Sequence, residues 1–129
     1  MAWTAKTQNG MGYYTETSTL PSSATTGYSA VIDKIKPRLD GTNQYVYFTF
    51  QASAISGTNL DIALYGAMTS GGTKFLLKDA VVADITTAAK AAGSIDVNAY
   101  PAPYYYIQWT ADANESANTI TVEFYGDMQ

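Results

Sequence analysis

The sequence predicts an all-β fold: a single β-sandwich or jelly-roll-like domain behind an irregular N-terminal arm. Short segments of alternating apolar and polar residues recur along the chain, separated by clusters of Gly, Asn, Asp and Ser. With 129 residues, of which 47% are hydrophobic, the chain is long enough to bury one core. We therefore divide it into an arm, residues 1–27, and a sandwich domain, residues 28–129.

The arm is rich in Thr, Ser and Gly, a composition typical of loops. Residues 12–17 alone have a strand-like pattern within it. We interpret the segment as a surface arm. An arm that becomes ordered only against a partner chain is the alternative.

Four segments alternate most clearly: residues 45–51, 60–65, 104–110 and 119–125. Successive side chains of a strand point to opposite faces, so each segment has one predicted inward set. These sets contain Val46, Phe48, Phe50, Leu60, Ile62, Leu64, Tyr105, Ile107, Trp109, Ile120, Val122 and Phe124. We expect them to form the core.

The other elements have weaker signals. Residues 28–39 alternate imperfectly and predict an edge strand, and residues 75–77 and 80–85 predict two short strands. Residues 86–92 predict a helical turn. Residues 71–74, Gly-Gly-Thr-Lys, predict a hairpin turn, because the spacing and following helix of a phosphate-binding loop are missing.

Composition excludes several functions. The chain has no histidine and no cysteine, which removes Ser-His-Asp and Cys-His catalysis and the usual zinc ligands. No carboxylate pair stands out among the 11 acidic residues. We therefore expect no catalytic residues, no metal and no cofactor. The net charge of −4 argues against a nucleic-acid partner, because phosphate binding depends on Lys and Arg. The lack of a long apolar run argues against a membrane span, and we expect no membrane partner.

Tyrosine is the residue type that bears most on function. Six of the 11 tyrosines fall on the predicted outward faces of the four clear strands. They are Tyr45, Tyr47, Tyr65, Tyr104, Tyr106 and Tyr125. Three interpretations stay open: ordinary strand-forming residues, a protein–protein interface, or a platform on which sugars stack.

Three segments also carry a resemblance to a known class of proteins. They are SGTNLDIALYGAMTSGGTKF (residues 56–75), DITTAAKAAGSIDV (84–97) and PYYYIQWTADANESANTITVEFYG (103–126). Their layout resembles the small all-β virion proteins of tailed bacteriophages, in particular capsid decoration, or cement, proteins. The resemblance implies a non-enzymatic protein on the capsid surface of the virion. It also implies a homotrimer that holds neighbouring subunits of the major capsid protein together.

The alternative hypothesis is a carbohydrate-binding or host-binding module that uses the same six tyrosines. The sequence alone leaves both hypotheses open, because neither rests on a motif of fixed spacing.

Overall fold

The computed structural model describes residues 4–8, 11–19, 26–33, 35, 37, 40, 42–53, 60–85, 91–111 and 119–126. These residues form strands and one 3-10 turn, Val97–Ala99, which follows the seventh strand. The strands are β1 (Thr4–Gln8), β2 (Met11–Thr19), β3 (Thr26–Tyr28), β4 (Tyr45–Ala52), β5 (Leu60–Ala67), β6 (Phe75–Ile85), β7 (Ala91–Asp96), β8 (Tyr104–Ala111) and β9 (Thr119–Gly126).

The strands form two antiparallel sheets packed face to face. The five-stranded sheet has the order β1-β2-β9-β4-β7, and the four-stranded sheet has the order β3-β8-β5-β6. Strands β2 to β9 thus form two four-stranded layers in the order of a jelly roll, and β1 extends one layer. Among β2 to β9, consecutive strands change layer except β5 and β6, which form a hairpin in one sheet. The predicted all-β sandwich is confirmed.

The core lies between the two sheets, and all twelve predicted inward residues are buried. The Phe48 ring stacks on Phe50 at 6.0 Å between centroids and lies 5.9 Å from Phe124, so β4 and β9 share an aromatic layer. In the four-stranded sheet, the Trp109 indole lies over its paired residue Gly27, where a β-carbon would overlap the ring. The alternation of apolar and polar residues identified the core because each of the four clear strands buries its whole inward set.

Tyr105 is the largest fully buried side chain of this core. Its hydroxyl accepts a hydrogen bond from the Ala102 amide at 3.1 Å and donates one to the Tyr100 carbonyl at 2.9 Å. Burial raises the pKa of Tyr105 to about 12, and the bond from Ala102 opposes this shift. The ring thus fills the core while its hydroxyl fixes the chain before β8.

The N-terminal region corrects the expectation of an irregular arm. Residues 4–8 and 11–19 are strands, and β2 pairs with β9 without interruption from Gly12 to Thr19. The strand-like pattern of residues 12–17 lies within β2. Because Tyr, Thr, Glu and Ser occupy both sides of residues 13–19, no apolar face indicated how far the strand extends or where it packs. Its hydrogen bonds come from β1 on one side and, on the other, from β9, which is 100 residues or more away in the sequence.

Three other elements also differ from expectation. The strand expected over residues 28–39 ends at Tyr28, after which Ile32 forms a single bridge to Tyr105. The two strands expected between residues 75 and 85 are one strand, β6, with three register shifts against β5. Residues 91–92 belong to β7 rather than to a helical turn, and residues 86–90 lie outside the described residues.

Candidate functional site

The six tyrosines predicted to face outward are divided between the two sheets of the sandwich. Tyr45 and Tyr47 are in β4, and Tyr125 is in β9, both strands of the five-stranded sheet. The others, Tyr65, Tyr104 and Tyr106, are in β5 and β8 of the four-stranded sheet. The core separates the two groups, so the tyrosines form two candidate sites rather than one.

The outer face of the five-stranded sheet presents Tyr45 and Tyr47, which are 49% and 44% exposed. They are two residues apart on one strand, so both project from the same face. Tyr125 occupies the β9 position that pairs with Tyr47, and Tyr13 of β2 pairs in turn with Tyr125. Three tyrosines therefore occupy directly paired positions across β2, β9 and β4, although the side chains of Tyr125 and Tyr13 are outside what the structure describes.

Polar groups, including the Glu123 carboxylate, surround these tyrosines. The Thr49 hydroxyl donates a hydrogen bond of 2.9 Å to Oε1 of Glu123, which holds that carboxylate against the sheet. A shallow depression of about 350 Å³ runs between β4 and the edge strand β7. Its lining consists of Tyr47, Phe48, Thr49, Ala92, Gly93 and Ser94. We refer to this surface as the Tyr45–Tyr47 face.

The four-stranded sheet departs from the expected exposure at Tyr106. This residue lies on the outer face, as its register with Tyr65 requires, yet it is only 5% exposed. The turn between β5 and β6 covers it, because the Gly71 amide donates a 2.9 Å hydrogen bond to its hydroxyl. Lys74 Nζ lies 4.5 Å from the centre of its ring. Gly71 has a φ of 74°, a conformation that glycine adopts without strain.

The turn also creates a cluster that sequence analysis missed. Lys74 Nζ lies 4.9 Å from the centre of the Tyr28 ring as well, so the ammonium group contacts two aromatic rings. The Tyr28 ring meets Tyr65 edge-on, with centroids 5.5 Å apart and planes at 87°. Gln108 Nε2 donates a 3.0 Å hydrogen bond to the Tyr28 hydroxyl. We name Lys74, Tyr28, Tyr65 and Tyr106 the lysine–tyrosine cluster.

The sequence held a partial signal of this cluster. Residues 71–74 were predicted as a hairpin turn, and the structure has that turn, with the Gly72 amide bonded to the Thr69 carbonyl at 3.0 Å. The pairing of β3 with β8, which brings Tyr28 beside Gln108, has no local signature. Tyr104, the remaining candidate, is half-buried at the start of β8.

Two further structural findings concern ligands and membranes. Within the described residues, no three acidic side chains come close enough together to hold a metal ion. The same part of the chain contains no helix with the length and apolar character of a membrane span.

No protein-family model matches the chain, and no curated protein matches it in sequence. Among solved structures, it is similar to a chain of tomato aspermy virus, with a TM-score of 0.45, 11% identity, and coverage of 95% of this chain and 80% of that one. It is also similar to the CBM22-1 xylan-binding domain of Paenibacillus barcinonensis Xyn10C, with a TM-score of 0.44, 13% identity, and coverage of 98% and 85%. A CBM4 structure gives a TM-score of 0.42, 11% identity, and coverage of 98% and 76%. Similarity at this level carries no argument about function.

Proposed function

We propose that the protein is a non-enzymatic binding protein that attaches to a protein surface through its Tyr45–Tyr47 face. One observation carries the proposal: two tyrosines that are 49% and 44% exposed stand side by side on the open face of a sheet. Tyrosine is enriched in the energetic centres of protein interfaces, because it combines a large apolar ring with a polar hydroxyl.

The surroundings of the two rings favour a protein surface as the partner. The face is a regular sheet, and on the side of β7 the neighbours of Tyr47 are Thr49, Ala92 and Ser94. On the side of β9, the Glu123 carboxylate already accepts a hydrogen bond from Thr49. Small, uncharged side chains cost little desolvation when an interface covers them, and they leave the rings as the prominent features. The backbone of β4 also loses little conformational entropy on binding, since it is paired with β7 on one side and β9 on the other.

The specific role that we propose is capsid decoration in a tailed bacteriophage. The protein would sit on the capsid surface of the virion and hold subunits of the major capsid protein together. A homotrimer suits this role, since three linked faces bind a symmetric shell with higher avidity than one. Jelly rolls occur in viral capsid domains and also in lectins, so the fold is compatible with this role without selecting it.

The proposal is tested by the number of copies bound to purified particles of the phage that encodes the chain. The double variant Tyr45→Ser, Tyr47→Ser should fold normally, and its occupancy should fall at least ~tenfold, as expected when hot-spot rings are lost. Thr26→Ala is a control on an exposed position of the other sheet and should keep full occupancy. Equal occupancy of all three proteins would refute the Tyr45–Tyr47 face as the attachment surface.

Light scattering after size exclusion tests the trimer separately. The proposal predicts a mass of about three 13.8 kDa chains. A monomer at all concentrations would remove the avidity argument.

A second function is favoured by the depression beside Tyr47. An exposed aromatic ring next to a shallow groove that bears the Thr49 and Ser94 hydroxyls is an arrangement on which a sugar ring can stack and form hydrogen bonds. Under this hypothesis a glycan array should show binding that Tyr47→Ala abolishes and Tyr28→Ala, on the opposite sheet, preserves. Absence of binding to any glycan would leave the protein–protein function as the sole proposal for this face.

A further inference from the structure

The lysine–tyrosine cluster holds a positive charge that nothing among the described residues neutralises. Lys74 Nζ lies over the rings of Tyr28 and Tyr106, and within the described ranges no carboxylate forms an ion pair with it. Cation–π contacts hold an ammonium group in position, but they satisfy none of its three N–H donors. In a chain of net charge −4, this lysine is a local exception that favours an anionic partner.

The cluster contains a second donor beside the ammonium group. The Tyr28 hydroxyl accepts its hydrogen bond from Gln108 Nε2, so its own proton is not used by that contact. Across the part of the chain that the structure describes, this proton has no acceptor. The Lys74 ammonium group therefore lies 4.9 Å from the centre of the ring that carries this O–H.

The donors are held in place before any ligand arrives. The edge-on contact with Tyr65 restrains the Tyr28 ring, and the Thr110 hydroxyl donates a 3.3 Å hydrogen bond to Oε1 of Gln108, which orients that amide. The Gly71 amide in turn fixes Tyr106 beneath Lys74. Preorganised donors bind more tightly than mobile ones because less entropy is lost on binding.

We propose that the lysine–tyrosine cluster binds a carboxylate, the side chain of an aspartate or glutamate in a partner protein. A carboxylate accepts hydrogen bonds from both donors at once, and the neighbouring rings lower the local dielectric and so strengthen the ion pair. The border of the cluster is apolar. Leu76, which pairs with Tyr65, is 52% exposed, and Met68 in the covering turn is 70% exposed.

This apolar border favours a peptide chain as the source of the carboxylate. An acidic side chain flanked by apolar ones matches both the charge and the border, whereas a free small carboxylate would leave Leu76 and Met68 uncovered. The site is on the opposite sheet from the Tyr45–Tyr47 face, so the proposal stands or falls independently of the proposed function.

The test uses the isolated protein and blocked tripeptides, followed by NMR of the lysine and tyrosine side chains. Acetyl-Leu-Glu-Leu-amide should shift the Lys74 and Tyr28 signals in a saturable way. Acetyl-Leu-Gln-Leu-amide should bind at least ~tenfold more weakly, because it cannot form the ion pair. Equal binding of the two peptides would overturn the proposal. Choline is the third probe, and binding of choline to the cluster would show a cage for organic cations instead.

Two variants of the cluster and one control variant assign the effect to the cluster. Lys74→Met should abolish the response to the glutamate peptide, whereas Lys78→Met, which removes an exposed lysine of the following strand β6, should preserve it. Tyr28→Phe keeps the ring under Lys74 and removes the hydroxyl, so it tests the second donor even if Lys74→Met fails to fold. Its affinity should fall about fivefold to tenfold. Unchanged binding by Lys74→Met, or glucuronate binding as tightly as the peptide, would contradict a carboxylate site for a protein partner.

Discussion

Replacement of Tyr105 by phenylalanine should destabilise the protein although it removes a single oxygen atom. The ring stays in the core, so packing changes little. The hydroxyl, however, accepts a bond from the buried Ala102 amide and donates one to the Tyr100 carbonyl. Both partners lose their hydrogen bond in the variant.

The size of the effect follows from which groups are left unsatisfied. A buried amide that loses its acceptor costs about 1–3 kcal/mol, and the Tyr100 carbonyl adds a smaller amount because this residue is only half-buried. We expect a total loss of about 2–3 kcal/mol in the free energy of unfolding. For a chain of this length, that is a fall in Tm of roughly 6–15 °C.

The difference between the two proteins should also depend on pH. Burial raises the pKa of Tyr105 in the folded state to about 12, above the ordinary value of 10.0. Because the unfolded chain ionises first, the stability that this residue contributes is fully present below pH 10. It is lost as the pH rises from about 10 to 12. The phenylalanine variant lacks this group and escapes that part of the loss.

Urea unfolding of both proteins at neutral pH and between pH 9 and 12 measures both effects. The gap in unfolding free energy should be largest below pH 10 and should narrow above it. The two proteins share all their other tyrosines, so the comparison isolates Tyr105. A variant as stable as the wild type at neutral pH, or a gap that widens above pH 10, would refute the reasoning.

Three further substitutions test the packing and the turn. Gly27→Ala should lower the free energy of unfolding, measured in urea, by about 1–3 kcal/mol, because the added β-carbon would overlap the buried indole of Trp109. An unchanged free energy of unfolding would mean that the ring can move aside. Phe48→Ala should cost about 3–5 kcal/mol, since it empties a fully buried site, and a loss below 1 kcal/mol would place Phe48 outside the core. Tyr106→Phe should lower the free energy of unfolding by only about 0.5–1.5 kcal/mol, because water can replace the lost acceptor of the exposed Gly71 amide. Hydrogen exchange of that amide should become faster, and unchanged exchange would contradict the role of Tyr106 in holding the turn.

The sequence predicted the core because that information is local. In β4, for example, Val46, Phe48 and Phe50 recur at every second position, and one buried face requires this spacing. The same rule placed Tyr105 inside although tyrosine is often found at surfaces, since it shares its face with Ile107 and Trp109.

The features that the sequence did not predict depend on contacts between distant segments. Strand β2 has no apolar face, so its place beside β9 has no periodic signal in the sequence. Alternation also assigned Tyr106 to the correct face but did not show that the turn around Gly71 covers it. Lys74 illustrates the same point, because its two ring partners are in β3 and β8, at sequence separations that local patterns do not reach.

The most direct test of the account is a hydroxyl-radical footprint of the chain, free in solution and bound to purified phage particles. Mass spectrometry then gives the extent of labelling at each tyrosine. If the Tyr45–Tyr47 face is the attachment surface, Tyr45 and Tyr47, which are 49% and 44% exposed in the free chain, become strongly protected on the particle, while the buried Tyr105 stays unlabelled in both states. Equal labelling of Tyr45 and Tyr47 in the free and bound chains would contradict the account, because the attachment surface would then lie elsewhere on the sandwich.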